Sequence, residues 1–177
     1  MGDFRAPCDV VSRGCALKTV LDSLRLIVRD LRLSAREAER VAHITGAQLF
    51  VLQQLHDAGT LSLGELAERT MTDQSSVSVV VKKLTEAKLV ARKASQADAR
   101  RLELSLTPAG KKLLARCPEP TQVRLVAALK RLAPNEAQGL TTGLSALVRE
   151  MGLESDTPPP LFFEDAARAR SKTRRRA

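Results

Sequence analysis

The sequence predicts a mainly α-helical fold with a small β-wing, and three observations predict it. Apolar residues recur at three-to-four spacing through most of residues 16–152, the period of amphipathic helices. That period gives way to two short strand-like runs only at residues 89–93 and 101–106. The segment between those runs, SQADAR, has the polar composition of a hairpin tip.

Residues 1–15 carry no periodicity and are expected to be flexible. From Ala16 onward, Leu17, Val20, Leu21, Leu24, Ile27, Val28 and Leu31 mark a helix that runs to about His43. Ser34-x-x-Glu37 has the form of a capping box, so a kink or restart is expected inside it. Thr45-x-x-Gln48 opens a helix through Leu49, Leu52 and Leu55, which ends near Gly59. Ser62-x-x-Glu65 caps a short helix with Leu63, Leu66 and Ala67 on its inner face. Thr72 is the expected N-cap of the next helix, with Asp73 in its first turn. That helix directs Val77, Val80, Val81 and Leu84 inward and shows Gln74, Ser75, Ser78, Lys82 and Lys83, with Val79 as an apolar exception.

Two short helices, a turn and a hairpin make a winged helix-turn-helix over about residues 47–106. Thr107-Pro108 is an N-cap followed by proline at the first helical position. The helix it opens carries Leu113, Leu114, Val123, Leu125, Val126 and Leu129, and Pro118 and Pro120 must kink or interrupt it. Pro134 starts a last helix through Leu140, Leu144, Leu147, Val148 and Met151, with Gly152 as its stop. Residues 155–177 read as a Pro-rich and then basic tail, whose last part, 166–177, holds six basic residues and no acid. Such a block is expected to be mobile and to neutralise phosphates without reading bases. Leu161, Phe162 and Phe163 before it are apolar enough to dock on the helical body.

The chain has 177 residues, of which 44% are hydrophobic, enough for one domain with a core. Lysine and arginine outnumber acids by 29 to 20, a formal charge of +9, which points to a polyanionic partner and first to nucleic acid. No run approaches the roughly 18 apolar residues that span a bilayer. The first residues lack a signal-peptide pattern, so a cytoplasmic location without membrane attachment is expected. There is no phosphate-binding glycine loop, no metal-ligand spacing and no Ser-His-acid motif, so neither an enzyme nor a cofactor is expected. Cys8, Cys15 and Cys117 have no CxxC spacing and read as reduced thiols. The alternative is an oxidant sensor at Cys15, just before the first helix.

The run LAERTMTDQSSVSVVVKKLTEAKLVARKASQADARRLELSLTPAGKKLL resembles the MarR family of bacterial transcription regulators. The most specific part is the wing, Asp98-Ala99-Arg100, followed after six residues by Leu106-Thr107-Pro108-Ala109-Gly110. The helices flanking the winged segment, about 16–44 and 107–152, agree in order but carry no specific motif. The resemblance implies a homodimer whose terminal helices interlock. It also implies a pseudo-palindromic double-stranded DNA operator, with the two recognition helices about 34 Å apart. The implied function is sequence-specific transcription regulation, as a repressor. The alternative is an architectural DNA-binding protein of low specificity, which the serine-rich helix and arginine-rich tail would also suit.

On this reading Gln74, Ser75, Ser76 and Ser78 sit where base edges and phosphates are reached. Glutamine can pair with adenine through both amide atoms. Lys82 and Lys83 suit phosphates. Arg100 matches the family's minor-groove arginine, Asp98 the acid that holds it, and Arg101 adds charge beside them. Two departures stand out. Val79 replaces a frequent basic residue on the DNA side, and Lys88 replaces the usual glycine before the wing, where a positive φ is often required.

Members of this family often respond to small aromatic ligands or oxidants. With no Trp, no Tyr and only Phe4, Phe50, Phe162 and Phe163, this chain has little to stack on an aromatic effector. Arg40, His43 and His56 are the polar candidates for an effector cleft between body and lobe.

Overall fold

The computed structural model describes residues 13–94 and 102–155. Among them the chain forms α1 (Arg13–Ala42), α2 (Gly46–Ala58), β1 (Thr60–Ser62), α3 (Leu63–Thr70), α4 (Gln74–Glu86), β2 (Val90–Ala94), β3 (Leu102–Leu106), α5 (Pro108–Leu114), α6 (Thr121–Arg131) and α7 (Pro134–Glu150). Cys8, Asp98, Arg100, Arg101 and the tail from residue 156 lie outside the described residues, as do the expectations placed on them.

The core belongs to the helix-turn-helix. Leu49, Phe50, Leu52 and Leu55 of α2 pack with Leu66 of α3 and with Val77, Val80, Val81 and Leu84 of α4. Burying a side chain of this size stabilises the fold by about 1.5–3 kcal/mol, so this cluster dominates the lobe. Both expected capping boxes are present. Thr45 Oγ1 accepts from Gln48 N at 3.2 Å, and Ser62 Oγ accepts from Glu65 N at 3.3 Å.

Four expectations are corrected. Helix α1 is continuous across Ser34, because that hydroxyl is used elsewhere: Thr121 N donates to Ser34 Oγ at 3.1 Å and ties α6 to α1. Helix α1 also begins at Arg13, so residues 13–15 belong to it and Cys15 lies exposed inside the helix, not just before it. The N-cap of α4 is Asp73, not Thr72; its Oδ1 accepts from Ser76 N at 2.9 Å. The wing is not a two-stranded hairpin alone. The three residues of β1 add to the sheet, giving the order β1-β3-β2 with both pairings antiparallel. Leu61 lies opposite Leu104 and Val90 opposite Leu106, so the wing's base is fastened to the lobe through its apolar face.

The prolines act as expected. Pro118 and Pro120 separate α5 from α6, and α7 ends where Gly152 turns to φ +64. Gly152 N donates to Arg149 O and Leu153 N to Val148 O, which satisfies the last carbonyls of α7.

The turn between α4 and β2 does take a positive φ, +60 at Lys88. Lys88 N donates to Thr85 O and Leu89 N to Leu84 O, at 2.9 Å each, so the left-handed residue closes the helix. A side chain in that conformation costs roughly 1–2 kcal/mol, while glycine loses about 0.5–1 kcal/mol in chain entropy. We expect Lys88→Gly to raise stability by about 0.5–1 kcal/mol. The check is a urea titration, in which the midpoint should rise with an unchanged slope.

Candidate nucleic-acid interface

The site is built on α4. Asp73 stands at its start, with Oδ1 accepting from Ser76 N and from the Ser75 hydroxyl. These bonds, the Ser75 hydroxyl first and the Ser76 amide next, hold the Asp73 carboxyl well below the usual carboxylate range. A fixed negative charge at a helix N-terminus is electrostatically favourable there. The pKa is lowered, so the cap is ionised at any pH above the ordinary carboxylate range, and its contribution fades only in strong acid. At neutral pH the Asp73 cap of α4 is therefore ionised.

The inward face of α4 is fixed by Val77, Val80, Val81 and Leu84. The helical period then places Ser75, Val79, Lys82 and Glu86 on the opposite face, with Gln74 and Ser78 beside them. Gln74, Ser75 and Lys82 are exposed, while Ser76, Ser78 and Lys83 are half-buried. Ser75 and Ser76 both take part in the cap of their own helix. Gln74, Ser78, Lys82 and Lys83 are thus the polar groups of this set that the cap does not engage. Val79 is 49% exposed in the middle of that face and offers an apolar contact of the kind a thymine methyl accepts.

The turn from α3 into α4 is tight. Met71 adopts φ +53 and its amide donates to Glu68 O, while Thr72 N donates to Ala67 O. Thr70 is buried, with its hydroxyl donating to Leu66 O at 2.8 Å. These bonds set the angle between the two helices and so the angle at which α4 is presented.

The wing strands carry two exposed cations that sequence reasoning did not single out, Arg92 and Lys93 on β2. The signal was present in the run ARKA beside the hairpin tip. Lys93 lies opposite Glu103 and Arg92 opposite Leu104.

A threonine clasp anchors the wing. Thr107 N donates to Leu89 O at 3.0 Å, Thr107 Oγ1 donates to Lys88 O at 2.8 Å, and Gly110 N donates to Thr107 Oγ1 at 3.0 Å. The LTPAG motif thus joins the end of β3, the start of α5 and the turn after α4.

The effector candidates are not gathered in one place. His43 ends α1 at φ +53 and lines an open crevice of about 410 Å³ with Lys112 and Arg116 of the α5 region. Arg40 and His56 do not line it. Arg40 is exposed and pairs with Glu37, Nη2 to Oε1 at 2.6 Å, and His56 is exposed on the last turn of α2. A second groove, of about 460 Å³, runs between α1 and α6 past Ile27, Asp30 and Arg124. Thr121 Oγ1 donates to Asp30 Oδ2 at 3.1 Å along its floor.

Away from the lobe, apolar surface lies open. Leu17, Val20, Leu21 and Ile27 of α1 are exposed, as are Leu140, Leu144, Leu147, Val148 and Met151 of α7. No residue of α7 is buried. None of the described helices is long and apolar enough to cross a membrane.

Residues 42–101 match the sequence profile of the MarR family. The HTH-type transcriptional repressor MdtR of Bacillus subtilis (strain 168) is 34% identical over 88 residues, covering 50% of this chain and 57% of that protein. The HTH-type transcriptional regulator YfiV of the same organism is 31% identical over 104 residues, covering 59% of this chain and 65% of that one. Both alignments thus span less than two thirds of the relative. Among solved structures, a mutant MarR from E. coli complexed with operator DNA superimposes with a TM-score of 0.53 at 19% identity, covering 77% of this chain and 99% of that chain. That likeness is one of fold: helices around a small winged lobe.

Proposed function

We propose that the chain is a member of the MarR family and acts as a homodimeric, sequence-specific transcription regulator, a repressor, that binds a pseudo-palindromic operator in the cytoplasm. One observation carries the reading. Helix α4, capped by Asp73, turns its aliphatic side into the core and leaves Gln74, Ser75, Ser78, Val79 and Lys82 outward, beside a wing that bears Arg92 and Lys93. Residues at the start of such a helix reach base edges, and the cations farther along reach phosphates. The protein acts by binding and catalyses nothing. The DNA-bound state of E. coli MarR and the repressor name of MdtR support the same reading.

In this reading Arg100 enters the minor groove from the wing tip, Asp98 steadies it, and Arg101 and Lys83 add phosphate contacts. The terminal basic tail adds affinity that does not depend on sequence. A small anionic effector is the ligand class that suits His43, Lys112 and Arg116 in the crevice at the end of α1.

The test is selection of bound duplexes from a random pool, followed by affinity measurement at fixed salt. A selected palindrome bound far more tightly than competitor DNA is the expected result; a ratio near one would identify an architectural DNA-binding protein instead. On the selected site, Arg100→Ala should weaken binding by about 1–3 kcal/mol without changing the melting temperature, and Asp98→Ala should cost less. Equal affinity of wild type and Arg100→Ala would remove the wing arginine from the interface.

A further inference from the structure

We propose that Gly64, on α3 and outside the recognition helix, is a specificity-positioning residue that fixes where the Gln74 carboxamide is held. The inference rests on the DNA-binding reading above.

Glycine is not needed at position 64 for its backbone. Gly64 lies in the first turn of α3, just after the Ser62 cap, and its φ is not positive. A helix ordinarily favours alanine over glycine at such a position. What surrounds Gly64 gives a different reason. A Cβ built there would have one neighbour, Nε2 of Gln74, at 3.0 Å. The first side chain of α4 therefore lies across a notch in α3 that exists because position 64 has no side chain.

Gln74 is the residue best suited to read adenine, since its Nε2 can donate to N7 while its Oε1 accepts from the N6 amino group only if both amide atoms are correctly placed. A free glutamine on an exposed helix start samples many rotamers and must lose that freedom on binding. Resting the amide against α3 limits those rotamers before DNA arrives, and preorganisation of this kind favours binding in one geometry. Filling the notch displaces the amide by a few tenths of an ångström or changes its rotamer. The far end of an exposed side chain moves easily, so the fold itself is not strained by the change.

The experiment uses the full chain and compares wild type, Gly64→Ala, Gln74→Ala and the double variant. For each, the base preference at every position of the selected half-site is measured, together with non-operator affinity at the same salt and the melting temperature. Gln74→Ala should lower discrimination at one base position by about tenfold to a hundredfold. Gly64→Ala should lower it at that same position by about threefold to tenfold, leave other positions and non-operator binding unchanged, and keep or raise the melting temperature. The double variant should match Gln74→Ala alone, because the effect of position 64 acts through the amide.

A Gly64→Ala profile identical to wild type overturns the proposal, and so does a loss that adds to that of Gln74→Ala. If Gln74→Ala leaves the base profile unchanged, the proposal falls with that residue's part in reading. If wild type shows no base preference at all, the sequence-specific function itself falls.

Discussion

Gly110→Ala should be among the most damaging single-methyl changes in this chain. A Cβ at position 110 would sit 2.2 Å from the carbonyl oxygen of Leu89, a backbone atom that cannot rotate away. That carbonyl also accepts from Thr107 N, and the Thr107 hydroxyl accepts from Gly110 N. Room for a methyl can come only from moving α5 away from the turn after α4, which breaks this clasp and loosens the base of the wing. Overpacking against fixed atoms costs about 1–3 kcal/mol, and each lost hydrogen bond costs about 1 kcal/mol more. We expect a total of about 3 kcal/mol, a fall of roughly 6–12 °C in melting temperature for a domain of this size. Gly64→Ala is the matched comparison, since its new methyl meets only the movable end of Gln74. A calorimetric scan in which both variants melt at the wild-type temperature would show that the clasp tolerates the methyl.

The same position shows what was legible in the sequence and what was not. LTPAG could be read as a helix start because Thr-Pro is a local signal, and caps are local chemistry. The Thr45 and Ser62 boxes were legible for the same reason, as was the inward valine face of α4. The reason for glycine at 110 was not legible, because it depends on Leu89, which lies far off in sequence. Ser34 misled for a related reason. Its spacing to Glu37 imitates a capping box, but a cap forms only where a helix begins, and here the hydroxyl binds the amide of Thr121 across the fold. The three residues of β1 were too short to show an alternating pattern, and their strand exists only because β3 offers its free edge. Helix α6 inverts expectation at its start: Thr121 and Gln122 are buried, while Leu129 is 39% exposed. At the candidate interface the helix face of Gln74, Ser78 and Lys82 was legible from period alone. The assignment of Ser75 and Ser76 to the cap required knowing that Asp73, and not Thr72, begins the helix.

On the proposed dimeric, operator-binding reading, replacing Leu144 and Leu147 together by glutamate should leave a monomer and abolish tight operator binding. Helix α7 has 17 residues and none is buried. Its leucines and Val148 form one stripe, with Leu144 and Leu147 about 40% exposed (42% and 37%). A lone helix of this length is marginal in water, and most helical stability comes from packing an apolar face. Helix α1 offers the matching surface, since Leu17, Val20 and Leu21 are each about half exposed. Two such faces within one chain that do not cover each other are most simply covered by a second copy, and closed two-fold pairing is the commonest outcome. Burying one leucine contributes about 1.5–3 kcal/mol, and the double substitution removes two leucines from each of two subunits. With only about 40% of each leucine left to bury, the expected loss is about 2.5–5 kcal/mol, a weakening of self-association by roughly fiftyfold to a few thousandfold. Because the winged lobe has its own core, the variant should keep the near-native helical signal of residues 44–114 while α7 loses its support. Each monomer would then hold a single half-site, and affinity for the full operator should fall to that of non-specific DNA. Sedimentation at micromolar concentration, with operator binding measured on the same samples, decides it. A variant that still sediments as a dimer would place the subunit contact elsewhere, and a wild type that sediments as a folded monomer would remove the two-fold arrangement on which the palindromic operator depends.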